Sequence, residues 1–298
     1  MHRFSCFILK KAGLYIFIFE HFTMRRLLVF YIGLCVFLQE LPAQSFEELI
    51  LKSYEYSDAN DLVQAEETLK AAMHLEPANR INYLLLNNLG TIQRRQGKSE
   101  EALLSYSAAL NQMPKDEVIL ANRAELFTEM GQIDKAIGDY NVLLDKSPEH
   151  EKTRFSRGLL YINTGEFLLA EADFEHIIET NKETFLGRFG YAILEKARGN
   201  YDESETIFNY LVEKYPNNLR LREERAELYL LTNRNGRAIA DVNRVFAATK
   251  EPSAELYMLR GRIKLAQKEK ASAAIDFKKA RELGYDNETV EKLLKGSF

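Results

Sequence analysis

The chain has no tryptophan, six prolines and two cysteines in 298 residues. So few prolines over such a length exclude proline-rich disorder and leave long helices uninterrupted. Both cysteines, Cys6 and Cys35, fall in the apolar N-terminal stretch. Everything after position 44 therefore has no thiol for a disulfide, a nucleophile or a cysteine-based metal site. The histidines, His2, His21, His74, His150 and His176, include no pair three or four residues apart, the spacing that brings two ligands to one helix face. A glycine-rich phosphate loop, a nucleophile elbow and an HExxH sequence are also missing. The carboxylates fall at helix-surface spacing, where solvation accounts for them. No metal, cofactor or enzymatic activity is expected.

Charge of either sign is not in large excess, with 40 basic and 44 acidic residues, but it is unevenly distributed. Residues 1–44 carry Arg3, Lys10, Lys11, Arg25 and Arg26 against Glu20 and Glu40, and the remainder holds 35 basic and 42 acidic residues. An acidic body argues against a nucleic-acid partner.

A long hydrophobic run is lacking too. From Met24 the chain reads Arg25-Arg26, an apolar stretch Leu27–Leu38, then Pro42-Ala43-Gln44. That stretch is short of the ~20 residues that span a bilayer and suits the core of an export signal. The expectation is a signal over 24–44, with Met24 as the true start and 1–23 as an upstream extension. The alternative is an N-terminal membrane anchor over Phe4–Phe37, which Lys10, Lys11, Glu20, Arg25 and Arg26 interrupt. Lipidation at Cys35 is disfavoured by the bulky Leu34 before it. The segment resembles export signals ending in Ala-Gln in Gram-negative bacteria of the Bacteroidetes type, which implies a periplasmic or secreted product.

What the body does have is a period. Gly97, Gly131, Gly165 and Gly199 are 34 residues apart, and Gly90, Ala124, Gly158 and Ala192 precede them by seven, a series continued by Ala226 and, after one inserted residue, Gly261. A second small series runs Ala102, Ala136, Ala170, Ser204, Ala238 and Ala273. Four residues after each comes a larger apolar side chain: Tyr106, Tyr140, Phe174, Phe208, Val242 and Phe277. Each unit reads as a helix stopped by a turn glycine in left-handed conformation, then a second helix whose small and aromatic residues share one face. Small residues permit close approach of the two helices, and the aromatic fills the space where they diverge. Pro114, Pro148 and Pro216 close three units at positions that need no amide donor.

These features resemble the tetratricopeptide repeat family. Six units follow its pattern, at 83–116, 117–150, 151–184, 185–218, 219–252 and 254–287, and a weaker one at 46–79 retains Ala65, Leu69, Ala72 and Pro77. The departures are mild: Asn233 stands for a turn glycine, Lys182 and Tyr285 stand for prolines, and the usual large aromatic early in the first helix is missing. The expected fold is an all-α superhelical solenoid of about seven helix-turn-helix repeats over 46–287, with residues 288–298 as a helical cap or tail.

One correlation lies inside the repeats. Arg123, Arg157, Arg225 and Arg260 each precede the small residue of a first helix, and the same units carry Asp139, Asp173, Asp241 and Asp276 in the second helix. The two remaining units lack both, with Leu89 and Ser105 in one and Tyr191 and Ile207 in the other. Joint presence and joint absence predict an ion pair across the helix pair or at the next junction.

The resemblance implies an inner groove, lined by first helices, that binds an extended peptide or a helix of a protein partner. Helical phase places Asn87, Thr91, Arg94, Glu125, Thr128, Phe155, Leu159, Phe189, Ile193, Lys196, Glu223, Glu227, Met258 and Arg262 there. Its middle is apolar, so Phe155 and Phe189 are the expected anchors for an apolar side chain of the partner. The carboxylate clamp of some family members is matched only by Asn122 and Lys152, since Asn87, Thr91 and Ser156 stand at its other positions. The resemblance thus implies a non-enzymatic binding scaffold, or alternatively an assembly subunit of an envelope complex that uses its outer face or ends. The export signal carries its own test: mass spectrometry of the native protein is expected to find an N-terminus at Gln44 or Ser45, and an intact chain beginning at Met1 would contradict it.

Overall fold

The computed structural model describes residues 45–297, so the expected signal and both cysteines lie outside the described residues. The described chain is fifteen helices with no strand. In order they are α1 (Phe46–Asp58), α2 (Leu62–Leu75), α3 (Asn82–Arg95), α4 (Ser99–Gln112), α5 (Glu117–Glu129), α6 (Ile133–Lys146), α7 (Glu151–Thr164) and α8 (Phe167–Thr180). They continue with α9 (Phe185–Arg198), α10 (Tyr201–Lys214), α11 (Leu219–Leu231), α12 (Asn235–Ala248), α13 (Ala254–Ala266), α14 (Lys270–Glu282) and α15 (Asn287–Ser297).

The chain divides into two units between Asn79 and Arg80. The first holds the pair α1 and α2. Ser45 starts it with a capping box: its hydroxyl accepts from the Glu48 amide at 3.1 Å, and the Glu48 carboxylate accepts from the Ser45 amide at 3.0 Å. Within the pair, the Ser53 hydroxyl donates to the Ala65 carbonyl at 2.9 Å, which locks the two small positions of the repeat against each other.

The second unit contains six repeats and α15. Each repeat turns at a residue with positive φ, and the period expected from the glycines is met even where glycine is absent. Gly131 has φ 71° and Gly199 φ 85°, while Asn233 and Lys268 take φ 58° and 66° at the equivalent place. In each turn the next amide reaches back to the carbonyl five residues earlier, as in Glu166 to Tyr161 at 2.8 Å and Arg234 to Tyr229 at 2.7 Å. That bond satisfies a carbonyl the helix end would leave open, and it holds Lys268 in a conformation L side chains disfavour.

The interior of each repeat rests on the small residue facing the ring. At Gly158 a Cβ would come 2.6 Å from Cε1 of Phe174, and at Gly261 one would come 2.5 Å from Cε1 of Phe277, so neither position has room for alanine without movement. Tyr106, Phe174, Phe208 and Phe277 are fully buried as a result. Phe174 is enclosed on its other side by Gly190 of the next first helix. One ring is thus seated between α7 and α9, which lie directly against each other. At the C-terminal end α15 covers the last repeat, where Val290 is fully buried with Met258, Phe277 and Ala280.

All four expected Arg–Asp pairs form, each with two hydrogen bonds. Arg123 meets Asp139 at 2.8 and 2.8 Å, Arg157 meets Asp173 at 2.9 and 2.6 Å, Arg225 meets Asp241 at 2.8 and 2.8 Å, and Arg260 meets Asp276 at 2.9 and 2.6 Å. The third guanidinium nitrogen of the first three reaches the second helix of the preceding repeat, at Ser107 (3.2 Å), Asn141 (2.6 Å) and Asn209 (2.8 Å). Each of these three arginines therefore bridges successive second helices and fixes repeat against repeat. Where the pair is absent, Tyr191 and Ile207 pack against the apolar core instead. Buried ion pairs roughly break even with apolar contacts, so their contribution is orientation more than stability. Arg157→Ala and Asp173→Ala are expected to be coupled by about 0.5–3 kcal/mol in a double-mutant cycle read by urea unfolding; additive losses would refute the bridge.

Candidate functional site

The first helices of the second unit carry the residues expected to bind, and at both flanks they bind one another. On α3 the Arg94 guanidinium donates to Glu125 at 2.8 Å and, in a two-pronged contact of 2.9 and 2.6 Å, to Glu129, both on α5. The hydrogen bond it donates to Glu129 contributes most to raising the Arg94 pKa, against burial, with Glu125 adding to it. Asn122 donates its side-chain amide to Asn87 at 2.8 Å. Thr91 meets the Tyr106 hydroxyl at 3.1 Å, and Thr128 donates to the Ala124 carbonyl at 2.9 Å. With the Asn122 amide engaged by Asn87 and Lys152 left exposed on its own, the partial carboxylate clamp is not brought together.

The other flank repeats this arrangement. Lys196 on α9 donates to Glu224 at 2.6 Å and to Glu227 at 3.1 Å, both on α11. Burial acts to lower the Lys196 ammonium pKa, but the charges of Glu224 and Glu227 outweigh it and the net shift is upward. Beside them Glu223 is half-buried, and burial first, then the charge of Glu224, pushes its carboxyl up. Arg262 is exposed on α13.

In the middle the expectation needs correction. Phe189 is 1% exposed and Phe155 8%. The two rings stack at 5.9 Å, Phe189 stacks again on Phe185 at 5.3 Å, and its edge meets Phe208 at 6.3 Å. The cause lies in α9. Its Gly187 and Gly190 have no room for a Cβ, against Ile178 and Phe174 respectively, so this helix closes onto α8 and carries Phe189 inward. Met258 is core for a related reason: at 4% exposure it lies under the cluster closed by α15. These three side chains are buried in the core rather than open on the first-helix face. Leu159 and Ile193, by contrast, are only half-buried, as is Ile162.

A single register relates these positions. Arg94 and Glu125 are 31 residues apart, as are Lys196 and Glu227, and each pair is joined by a salt bridge between successive first helices. The same 31-residue step relates Thr128 to Leu159 and Ile162 to Ile193. At this register the face is ionic, then uncharged over two junctions, with Leu159, Ile162 and Ile193 apolar, then ionic. Helical phase alone missed Glu129, Glu224 and Ile162; complementary charge one repeat away is the signal that points to the first two. Among the described residues no group of three His, Cys, Asp or Glu is placed to hold a metal ion, and no helix is long and apolar enough to cross a membrane.

Models of the tetratricopeptide repeat match residues 122–150 and 191–252. The crystal structure of a tetratricopeptide repeat protein from Parabacteroides merdae is 56% identical, over 86% of this chain and 99% of that one, with a TM-score of 0.78. PilW, a type IV pilus biogenesis factor, is 18% identical over 73% of this chain and 100% of its own, with a TM-score of 0.57. Yeast Tom70 is 12% identical over 87% of this chain and 65% of its own, with a TM-score of 0.62. The latter two share the fold alone. No curated protein sequence matches the chain. The 34-residue period, the seated rings and the close relative over nearly all of its length lead to one assignment: the chain belongs to the tetratricopeptide repeat family.

Proposed function

We propose that the chain is an exported protein-binding scaffold that holds an extended segment of a partner along the first helices α5, α7 and α9. Membership of the family makes it a non-catalytic repeat scaffold, and the observation that carries the finer reading is the break in the ionic register. Salt bridges join successive first helices at Arg94–Glu125 and Lys196–Glu227, while Leu159, Ile162 and Ile193 stand at the same positions between them. Apolar side chains left partly open between two self-paired charged borders suit a partner that brings apolar groups. Borders already paired within the chain add little attraction for a charged ligand. Export rests on the sequence features of residues 24–44.

A second reading, an assembly subunit docking through its outer face, is favoured by Leu168 and Leu169 at the start of α8, which are 78% and 47% exposed. A photo-crosslinking residue separates the two. Placed at Asn163 or Ala197, exposed positions one helical turn beyond Leu159 and Ile193, it is expected to trap a protein partner in the native cell envelope. Crosslinks confined to Ala172, the exposed neighbour of Leu168 and Leu169, would overturn the first-helix reading in favour of the second.

A further inference from the structure

Three successive repeats place an arginine where the family's first helix usually has a large aromatic: Arg154, Arg188 and Arg222. Each is treated differently. Arg154 donates to the Pro148 carbonyl at 2.7 Å and to Asp173 at 3.2 Å. The carboxylate of Glu149 lies close by, held by Thr180 at 2.8 Å and His176 at 3.1 Å. Those bonds, in that order, and the charges of His176 and Arg154 keep the Glu149 carboxyl below its ordinary range. Arg188 donates to the Lys182 carbonyl at 2.9 Å and lies over the Tyr210 ring at 5.1 Å. In these two repeats the chain itself gives the guanidinium a carbonyl partner at the helix start.

The third repeat lacks those polar neighbours, although the Arg222 side chain is as buried as that of Arg154, at 14% and 15% exposure. At the positions of Glu149, His176 and Thr180, two repeats on, stand Asn217, Arg244 and Ala248. The acid has become neutral, its imidazole partner a second guanidinium, and its hydroxyl donor a methyl. The opening left is about 470 Å³, bounded by Asn217, Leu219, Arg222, Arg244, Ala247 and Ala248, against about 40 Å³ at the site around Arg154 and His176. Arg222 keeps one contact, to Asp241 at 3.3 Å, and Asp241 is already held on both oxygens by Arg225. Among the described residues Arg244 has no hydrogen bond or ion pair. Two guanidiniums face an opening from which the carboxylate of the equivalent site has been removed.

We propose that this opening takes a carboxylate side chain from an acidic segment of a polypeptide partner, in the place that Glu149 fills two repeats earlier. Arg244 and Arg222 supply paired donors of the kind that bind carboxylates well. Leu219, Ala247 and Ala248 give an apolar wall for the residue beside the acid, which favours a peptide over a free inorganic anion. The site shares no residue with the strip at Leu159 and Ile193, so either can fail without the other.

The test is an NMR titration of the arginine Nε–H signals of the full-length protein with the peptide acetyl-Leu-Glu-Glu-Leu-amide, and separately with inorganic phosphate. Saturable shifts are expected at Arg222 and Arg244 and not at Arg154, with the peptide at least tenfold tighter than phosphate. Asn217→Glu, which restores an internal carboxylate, is expected to weaken the peptide at least tenfold at an unchanged melting temperature. Should that variant misfold, Arg244→Gln at an exposed position is expected to give the same loss. Equal shifts at Arg154, phosphate binding as tightly as the peptide, or undiminished binding in the folded variants would overturn the proposal.

Discussion

A single contact, the aromatic or branched side chain of a second helix seated on the small residue of its first helix, sets the distance on which every other feature of the repeats depends. The ring at Phe174 or Phe277 occupies the volume a Cβ at Gly158 or Gly261 would need, so the pair of helices closes to one spacing and no nearer. Sixteen residues separate the two members of the contact, and sixteen also separate each Arg from its Asp, one residue earlier on both helices. The ion pairs are therefore placed by the rings: once Gly158 and Phe174 meet, Arg157 and Asp173 must face each other, and the spare guanidinium nitrogen falls on Asn141 of the preceding repeat.

Chemical variety enters at the junctions. Most charged groups there are satisfied by the chain itself, whether Arg94 by Glu125 and Glu129 or Lys196 by Glu224 and Glu227. Against that background the places where self-pairing stops carry functional meaning. The register occupied by salt bridges on either side becomes apolar at Ile162 and Ile193, and the Glu149 carboxylate near Arg154 has no counterpart near Arg222, where Asn217 stands. A rigid scaffold has few other ways to mark a surface for a partner, since its backbone geometry repeats.

The fold was legible because a seven-fold pattern averages out local exceptions. Asn233 and Lys268 lack the glycine signal, yet they turn as glycine does because the neighbouring repeats fix where the turn must fall. The Arg–Asp pairs could be read from joint presence and absence alone. Phe155 and Phe189 could not. Their helical phase is that of the half-buried Glu223, but Gly187 and Gly190 draw α9 against α8, and a stack of rings forms where an open face was expected. The period places a residue on a helix face; it does not reveal how near the next helix comes, which depends on residues outside the motif.

The dependence on seated rings is most directly tested by hydrogen exchange on Phe174→Ala. Truncating a buried phenylalanine costs about 3–5 kcal/mol, and because this ring touches both Gly158 and Gly190, protection is expected to fall together in α7, α8 and α9. Loss confined to α8, with α7 and α9 protected as before, would contradict the view that one side chain sets the spacing of all three helices.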